Sequence, residues 1–149
     1  MTTVRNAASC AVSCLVLTAA LAYSQSPIER APARSVAVTN PLERNEQARL
    51  AGAKLYAREC AACHGSAGQG LGKAPPLSRS AVSEAAPGVL FWVLRNGSLA
   101  RGMPSFAYLP EPERWQIVTF LRALGSGTIP ANQNADSSES TPRSPLNQK

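Results

Sequence analysis

The pentapeptide Cys60-Ala61-Ala62-Cys63-His64 sets two thiols three residues apart, with an imidazole directly after the second. Residues three apart share one face of a helical turn, so both sulfurs can hold the edge of one flat macrocycle while the histidine beneath takes its iron. Cys-x-x-Cys-His is the attachment pattern of c-type haem. Each thiol adds across one vinyl group, giving two thioether bonds, and His64 becomes the proximal axial ligand. The implied prosthetic group is one haem c, held covalently through Cys60 and Cys63.

Two other chemistries use Cys-x-x-Cys: a thioredoxin-like redox pair and half of a zinc site. A zinc site needs four ligands, but His64 is the only histidine, and Cys10 and Cys14 lie in an apolar N-terminal run. A thioredoxin-like chain needs strands alternating with helices, and no such pattern surrounds the motif. Haem iron needs only one further ligand.

A low-spin electron-transfer haem commonly takes a methionine sulfur opposite the histidine. Apart from the initiator the chain has one methionine, Met103, 39 residues after His64 in Asn96-Gly97-Ser98-Leu99-Ala100-Arg101-Gly102-Met103-Pro104. That separation lets the chain travel round the macrocycle. Gly97 and Gly102 suit a loop that approaches a flat ligand, and Pro104 stiffens it. A lone methionine is more often core filler. A Gly-Met-Pro turn between helical stretches is a poor place for filler, so His64 and Met103 are read as the two iron ligands.

Residues 45–125 resemble a small class I cytochrome c of the bacterial periplasmic kind. The resemblance rests on the haem motif, on Met103, and on Gly52 and Tyr56, which stand eight and four residues before Cys60. Ala74-Pro75-Pro76-Leu77 is similar to the family's Gly-Pro-x-Leu element, with Ala74 where glycine is common. Trp115 to Leu124 is similar to its C-terminal helix. The resemblance implies an all-α fold of short helices around one covalently bound haem. It further implies that the Pro75 carbonyl accepts the proton of the ligand histidine, and that Phe120 crosses the first helix near Gly52.

The rest of the chain supplies the setting. Residues 1–24 read as a cleavable signal peptide: Arg5 gives the positive start, Ala7 to Ala22 is an apolar run, and Ala22-Tyr23-Ser24 offers small residues for cleavage. An uncleaved anchor is the alternative. Export places the protein in the periplasm, where thiols must be kept reduced until haem arrives. Residues 25–44, with three prolines, read as a linker along the surface. Residues 126–149, rich in Ser, Asn, Gln and Pro, read as a disordered tail that cannot bury enough apolar surface to order itself.

Within residues 45–125 the first helix is predicted to start at Asn40 or near Asn45 and to run to about Cys60. Leu50, Ala53, Ala57 and Cys60 make its apolar stripe by spacing. Glycine in a helix interior costs up to about 1 kcal/mol against alanine, so Gly52 implies close passage of another helix. The run Gly65, Gly68, Gly70, Gly72 resembles a phosphate-cradling loop, but neither the Lys-Ser/Thr pair nor a preceding strand is present. It reads instead as a flexible loop along the haem edge. One helix is predicted over 83–96, with Pro87 in its first turn and Gly97 as its stop. Arg95 and Trp92 are candidate donors to a haem propionate.

With both axial positions filled, no open coordination site remains, and no acid, base or nucleophile constellation is present. The expectation is an electron-transfer protein with no catalytic residues of its own, either a carrier or the electron-accepting subunit of a dehydrogenase feeding a terminal oxidase. The formal charge of +6 favours redox partners with acidic docking faces, a dehydrogenase as donor and an oxidase or cytochrome as acceptor. No aromatic-interleaved basic patch points to nucleic acid, and a membrane is involved only through those partners. The alternative is a haem enzyme or gas sensor with an open or labile sixth position. A third class is a Cys-x-x-Cys protein without haem.

Overall fold

The structure, a computed structural model, describes residues 26–127. Five helices follow in order: α1 Glu46–Glu59, α2 Ala61–His64, α3 Ser80–Glu84, α4 Pro87–Asn96 and α5 Glu111–Gly125, with 3-10 turns at Ala33–Ala37 and Leu99–Arg101. Among the described residues there is no strand, only an isolated antiparallel bridge between Ser98 and Met103. The all-α expectation is met. No helix of the described residues is long and apolar enough to cross a membrane. The expected signal peptide and nearly all of the expected tail lie outside the described residues.

Helix α5 is the hub. Glu111 and Glu113 with Pro112 open it favourably against the helix dipole, and it buries Trp115, Ile117, Val118, Phe120, Leu121 and Leu124. It packs on α1, α3 and α4. A fully buried side chain of this kind contributes about 1.5–3 kcal/mol, so this one stripe supplies much of the driving force. The closest approach is to α1. A Cβ on Gly52 would stand 2.0 Å from the Gln116 carbonyl oxygen and 3.0 Å from the Phe120 Cβ. Gly52 is therefore where the two backbones cross, with Phe120 beside it, as the sequence implied.

The buried face of α1 differs from the expected one. Ala48, Gly52, Leu55 and Tyr56 are buried, while Leu50 is 43% exposed and Ala57 faces water. Small residues form the half of the face that crosses α5, and a count of large apolar side chains cannot see them. The start of α1 is settled as well. The Asn45 side chain accepts from the Ala48 amide at 3.0 Å, an N-cap, while Asn40 is buried and does other work. Its amide nitrogen donates to Thr119 Oγ1 at 2.9 Å and its side-chain oxygen accepts from the Leu42 amide at 2.9 Å. The segment before α1 is thus fastened to α5. It is also fastened to α4, where the Gly88 amide donates to the Val38 carbonyl at 3.1 Å.

The single helix expected over 83–96 is two. Ala85 and Ala86 are extended, with ψ of 138° and 139°, between α3 and α4. The residue before a proline is pushed out of the helical region, so Pro87 begins a new helix at its first position and cannot be absorbed into an older one. Gly97 ends α4 as expected, with φ 69°.

Candidate haem site

Helix α1 delivers the motif. The Cys60 amide still donates to the Tyr56 carbonyl at 2.8 Å, and Cys60 then caps α2, its carbonyl accepting from Cys63 at 3.1 Å and His64 at 2.9 Å. One turn therefore carries both thiols and the imidazole. Cys60 is buried against the core and Cys63 is exposed; both are free thiols. Burial pushes the Cys60 thiol up to about 12, with Glu59 and Cys63 adding to the shift. A thioredoxin-type nucleophile needs the opposite shift. Nor do the described residues include a group of three or more His, Cys, Asp or Glu that could hold a metal ion.

The His64 ring is oriented from behind. Its Nδ1 lies 2.9 Å from the Pro75 carbonyl oxygen. A carbonyl can only accept, so Nδ1 carries a proton, and in the neutral ring Nε2 keeps the lone pair, the tautomer a metal-bound histidine needs. The glycine-rich loop holds this pair together. The Gly70 amide donates to the His64 carbonyl at 2.8 Å, and the Leu71 amide to the Cys63 carbonyl at 3.2 Å. At Gly70, with φ 82°, a Cβ would stand 2.8 Å from the Ala74 oxygen and 2.8 Å from the Pro76 nitrogen. Only glycine lets the Pro75 turn lie that close. The loop expected to be flexible is thus a hydrogen-bonded brace. Among the described residues none other than glycine has a positive φ, so Ala74 serves the turn in ordinary geometry.

Tyr56 closes the unit from the core side. Its hydroxyl donates to the Gly65 carbonyl at 2.7 Å, and its ring packs on Phe120 with centroids 5.1 Å apart. Burial, with a smaller contribution from Cys60, pushes the phenol from its ordinary value near 10 to about 12. The folded state thus favours the neutral phenol. The stability this contributes is complete below about pH 10 and is lost as pH rises through about 12. Tyr56→Phe is expected to lower stability near neutrality by about 1 kcal/mol, one net hydrogen bond, and to flatten the alkaline fall. Thermal melts of both proteins between about pH 8 and pH 12 check this, and parallel alkaline limbs would contradict it.

Met103 stands on a separate loop. It exchanges both backbone hydrogen bonds with Ser98, at 2.8 and 3.2 Å, and its side chain is half-buried against the core. The Phe106 amide donates to the Leu94 carbonyl at 2.9 Å and Ser105 Oγ to the Arg95 carbonyl at 2.6 Å, tying the loop to the end of α4.

The family described as cytochrome c oxidase, cbb3-type, subunit III matches residues 47–121, just over half of the chain. The chain belongs to that family, whose domain is a class I-like c-type cytochrome. No curated relative and no solved structure matches it. Membership implies a covalently bound haem c and haem-based electron transfer by a protein that is not an enzyme in itself.

The residues of the cytochrome fit that group. Two free thiols share a turn, an imidazole has its Nδ1 held by a carbonyl, and a buried hydroxyl, Ser98 Oγ, stands without a hydrogen-bond partner beside Met103. The two propionate donors suggested by the sequence are less committed: Arg95 is exposed and Trp92 half-buried. Two clefts lie away from the motif. One of about 360 Å³ is bordered by Glu43, Arg49, Thr119 and Arg122, and one of about 320 Å³ by Arg30, Trp92, Asn96 and Ser98. Sequence reasoning missed Ser98, which looks like any polar turn residue, and the bond from Tyr56 to Gly65.

Proposed function

We propose that the protein transfers electrons in the periplasm, with His64 and Met103 as axial ligands of a haem c attached through Cys60 and Cys63. It acts as a carrier or as the electron-accepting subunit of a dehydrogenase feeding a terminal oxidase. The observation that carries this reading is the 2.9 Å contact from His64 Nδ1 to the Pro75 carbonyl, which leaves Nε2 free to take a metal. Haem c supplies a one-electron ferric/ferrous couple. Cys60 and Cys63 hold its edge, and the Gly70 brace keeps the imidazole from turning. Met103, the only methionine besides the initiator, gives a soft neutral sulfur that favours the ferrous state and raises the potential. Because both ligands are protein atoms, coordination stays the same on reduction and little reorganisation accompanies transfer.

The family's description names an oxidase subunit, in keeping with delivery of electrons towards a terminal oxidase. The formal charge of +6 steers the protein towards partners with acidic faces. The test is the absorption spectrum of the full chain produced with haem-attachment machinery. The expected result is a weak ferric band near about 700 nm, which marks iron–methionine ligation, and no response of the ferrous protein to carbon monoxide. Rapid carbon monoxide binding without that band would replace the carrier with a ligand-binding or sensing protein.

A further inference from the structure

The bridge that positions Met103 also positions a second side chain. Ser98 and Met103 are directly opposite one another, each amide donating to the other's carbonyl at 2.8 and 3.2 Å. Side chains of such a pair leave the same face, with Cα atoms about 5.5 Å apart. Ser98 is only 8% exposed, and its hydroxyl oxygen is closed off from solvent with no hydrogen-bond partner. Its own carbonyl already accepts from Arg101 at 2.8 Å as well as from Met103. It borders the cleft with Arg30 and Trp92, but solvent in that cleft does not reach the hydroxyl.

A buried hydroxyl left unpaired is unfavourable, so a partner is to be expected in the mature protein. The acceptor that shares its face is the Met103 thioether, which lies outside hydrogen-bond reach of the hydroxyl in this structure, so the bond requires the sulfur to turn as it takes the iron. A thioether sulfur has two lone pairs, and coordination to iron uses one. We propose that Ser98 Oγ–H donates a hydrogen bond to Met103 Sδ, fixing the orientation of the sulfur as an iron ligand and drawing electron density from it. Ser98 is then a positioning residue. The proposal rests on the reading that Met103 is a ligand. A donor on the sulfur disfavours the extra positive charge of ferric haem, so the hydroxyl raises the reduction potential.

The experiment compares haem-loaded wild type, Ser98→Ala and Ser98→Thr. Imidazole is titrated into the ferric protein while the band near about 700 nm is followed, and the potential is measured against pH. Loss of one net hydrogen bond, about 1 kcal/mol, is expected to let imidazole displace Met103 about fivefold more readily in Ser98→Ala. The potential should fall, and Ser98→Thr, which keeps the hydroxyl, should behave as wild type. Unchanged imidazole affinity and potential in Ser98→Ala overturn the proposal, as does a loss of thermal stability alone. A changed pH dependence of the potential with imidazole affinity unmoved puts the hydroxyl on a haem carboxylate and also overturns it. Absence of the band in wild type overturns Met103 ligation itself, and the proposal falls with it.

Discussion

Gly52→Ala is expected to lower the melting temperature by about 8–16 °C, although alanine is the better helix former. The gain in propensity is about 1 kcal/mol. Against it stands a methyl group placed 2.0 Å from the Gln116 carbonyl oxygen, a backbone atom that cannot rotate aside. Relief requires α1 and α5 to separate along the whole crossing, which loosens Phe120 and Tyr56. The cost lies at or above the upper end of the usual 1–3 kcal/mol for overpacking, leaving a net loss of about 2 kcal/mol or more. In a domain of this size each kcal/mol moves the midpoint by about 4–8 °C. Gly52→Val, with two more carbons at the crossing, should leave no folded protein. Leu50→Ala, on the exposed side of α1, is the control and should shift stability by less than about 0.5 kcal/mol. A Gly52→Ala protein that melts at or above wild type would show that the crossing is not as tight as described.

Met103→Ala is expected to convert a protein inert to carbon monoxide into one that binds it stoichiometrically in the ferrous state, with loss of the weak band near about 700 nm and a lower reduction potential. The side chain removed is half-buried and packs on the core, so some stability goes with it. Haem attachment should survive, because Cys60, Cys63 and His64 lie on and beside helix α2, braced by Gly70 and Pro75 and apart from the Met103 loop. Retained covalent haem with an opened iron is therefore the signature. Mass spectrometry reads the first and carbon monoxide titration the second. If Met103→Ala leaves spectrum and ligand binding unchanged, Met103 is not bound to the iron.

What could be read from the chain follows from how local each constraint is. Covalent chemistry forces Cys60, Cys63 and His64 into five consecutive residues, so the motif needs no fold to be seen. Gly52 was legible for a related reason: a glycine that weakens its own helix points to a neighbour. The buried face of α1 was not legible, because Ala48 and Gly52 are buried for their smallness and carry no hydrophobic signal. The break at Ala85-Ala86 lost out to a run of apolar residues that continues across it, although Pro87 was the clue. Ser98 lay beyond reach for a deeper reason. A hydroxyl becomes an orphan only after every neighbouring donor and acceptor has been assigned, and that accounting exists only in three dimensions.

The crossing of α1 and α5 joins residues 64 positions apart, Gly52 and Gln116. Every haem-site residue named above, from Cys60 to Met103, lies inside the loop that this contact closes. The entropy of closing that loop must be met before the long-range contacts repay it. Inside the loop the elements are short, α2 having four residues and α3 five, too short to persist alone. The site thus leans on the contact between the two helices that meet around it. A chain ending before Glu111 would carry every candidate ligand and none of the closure.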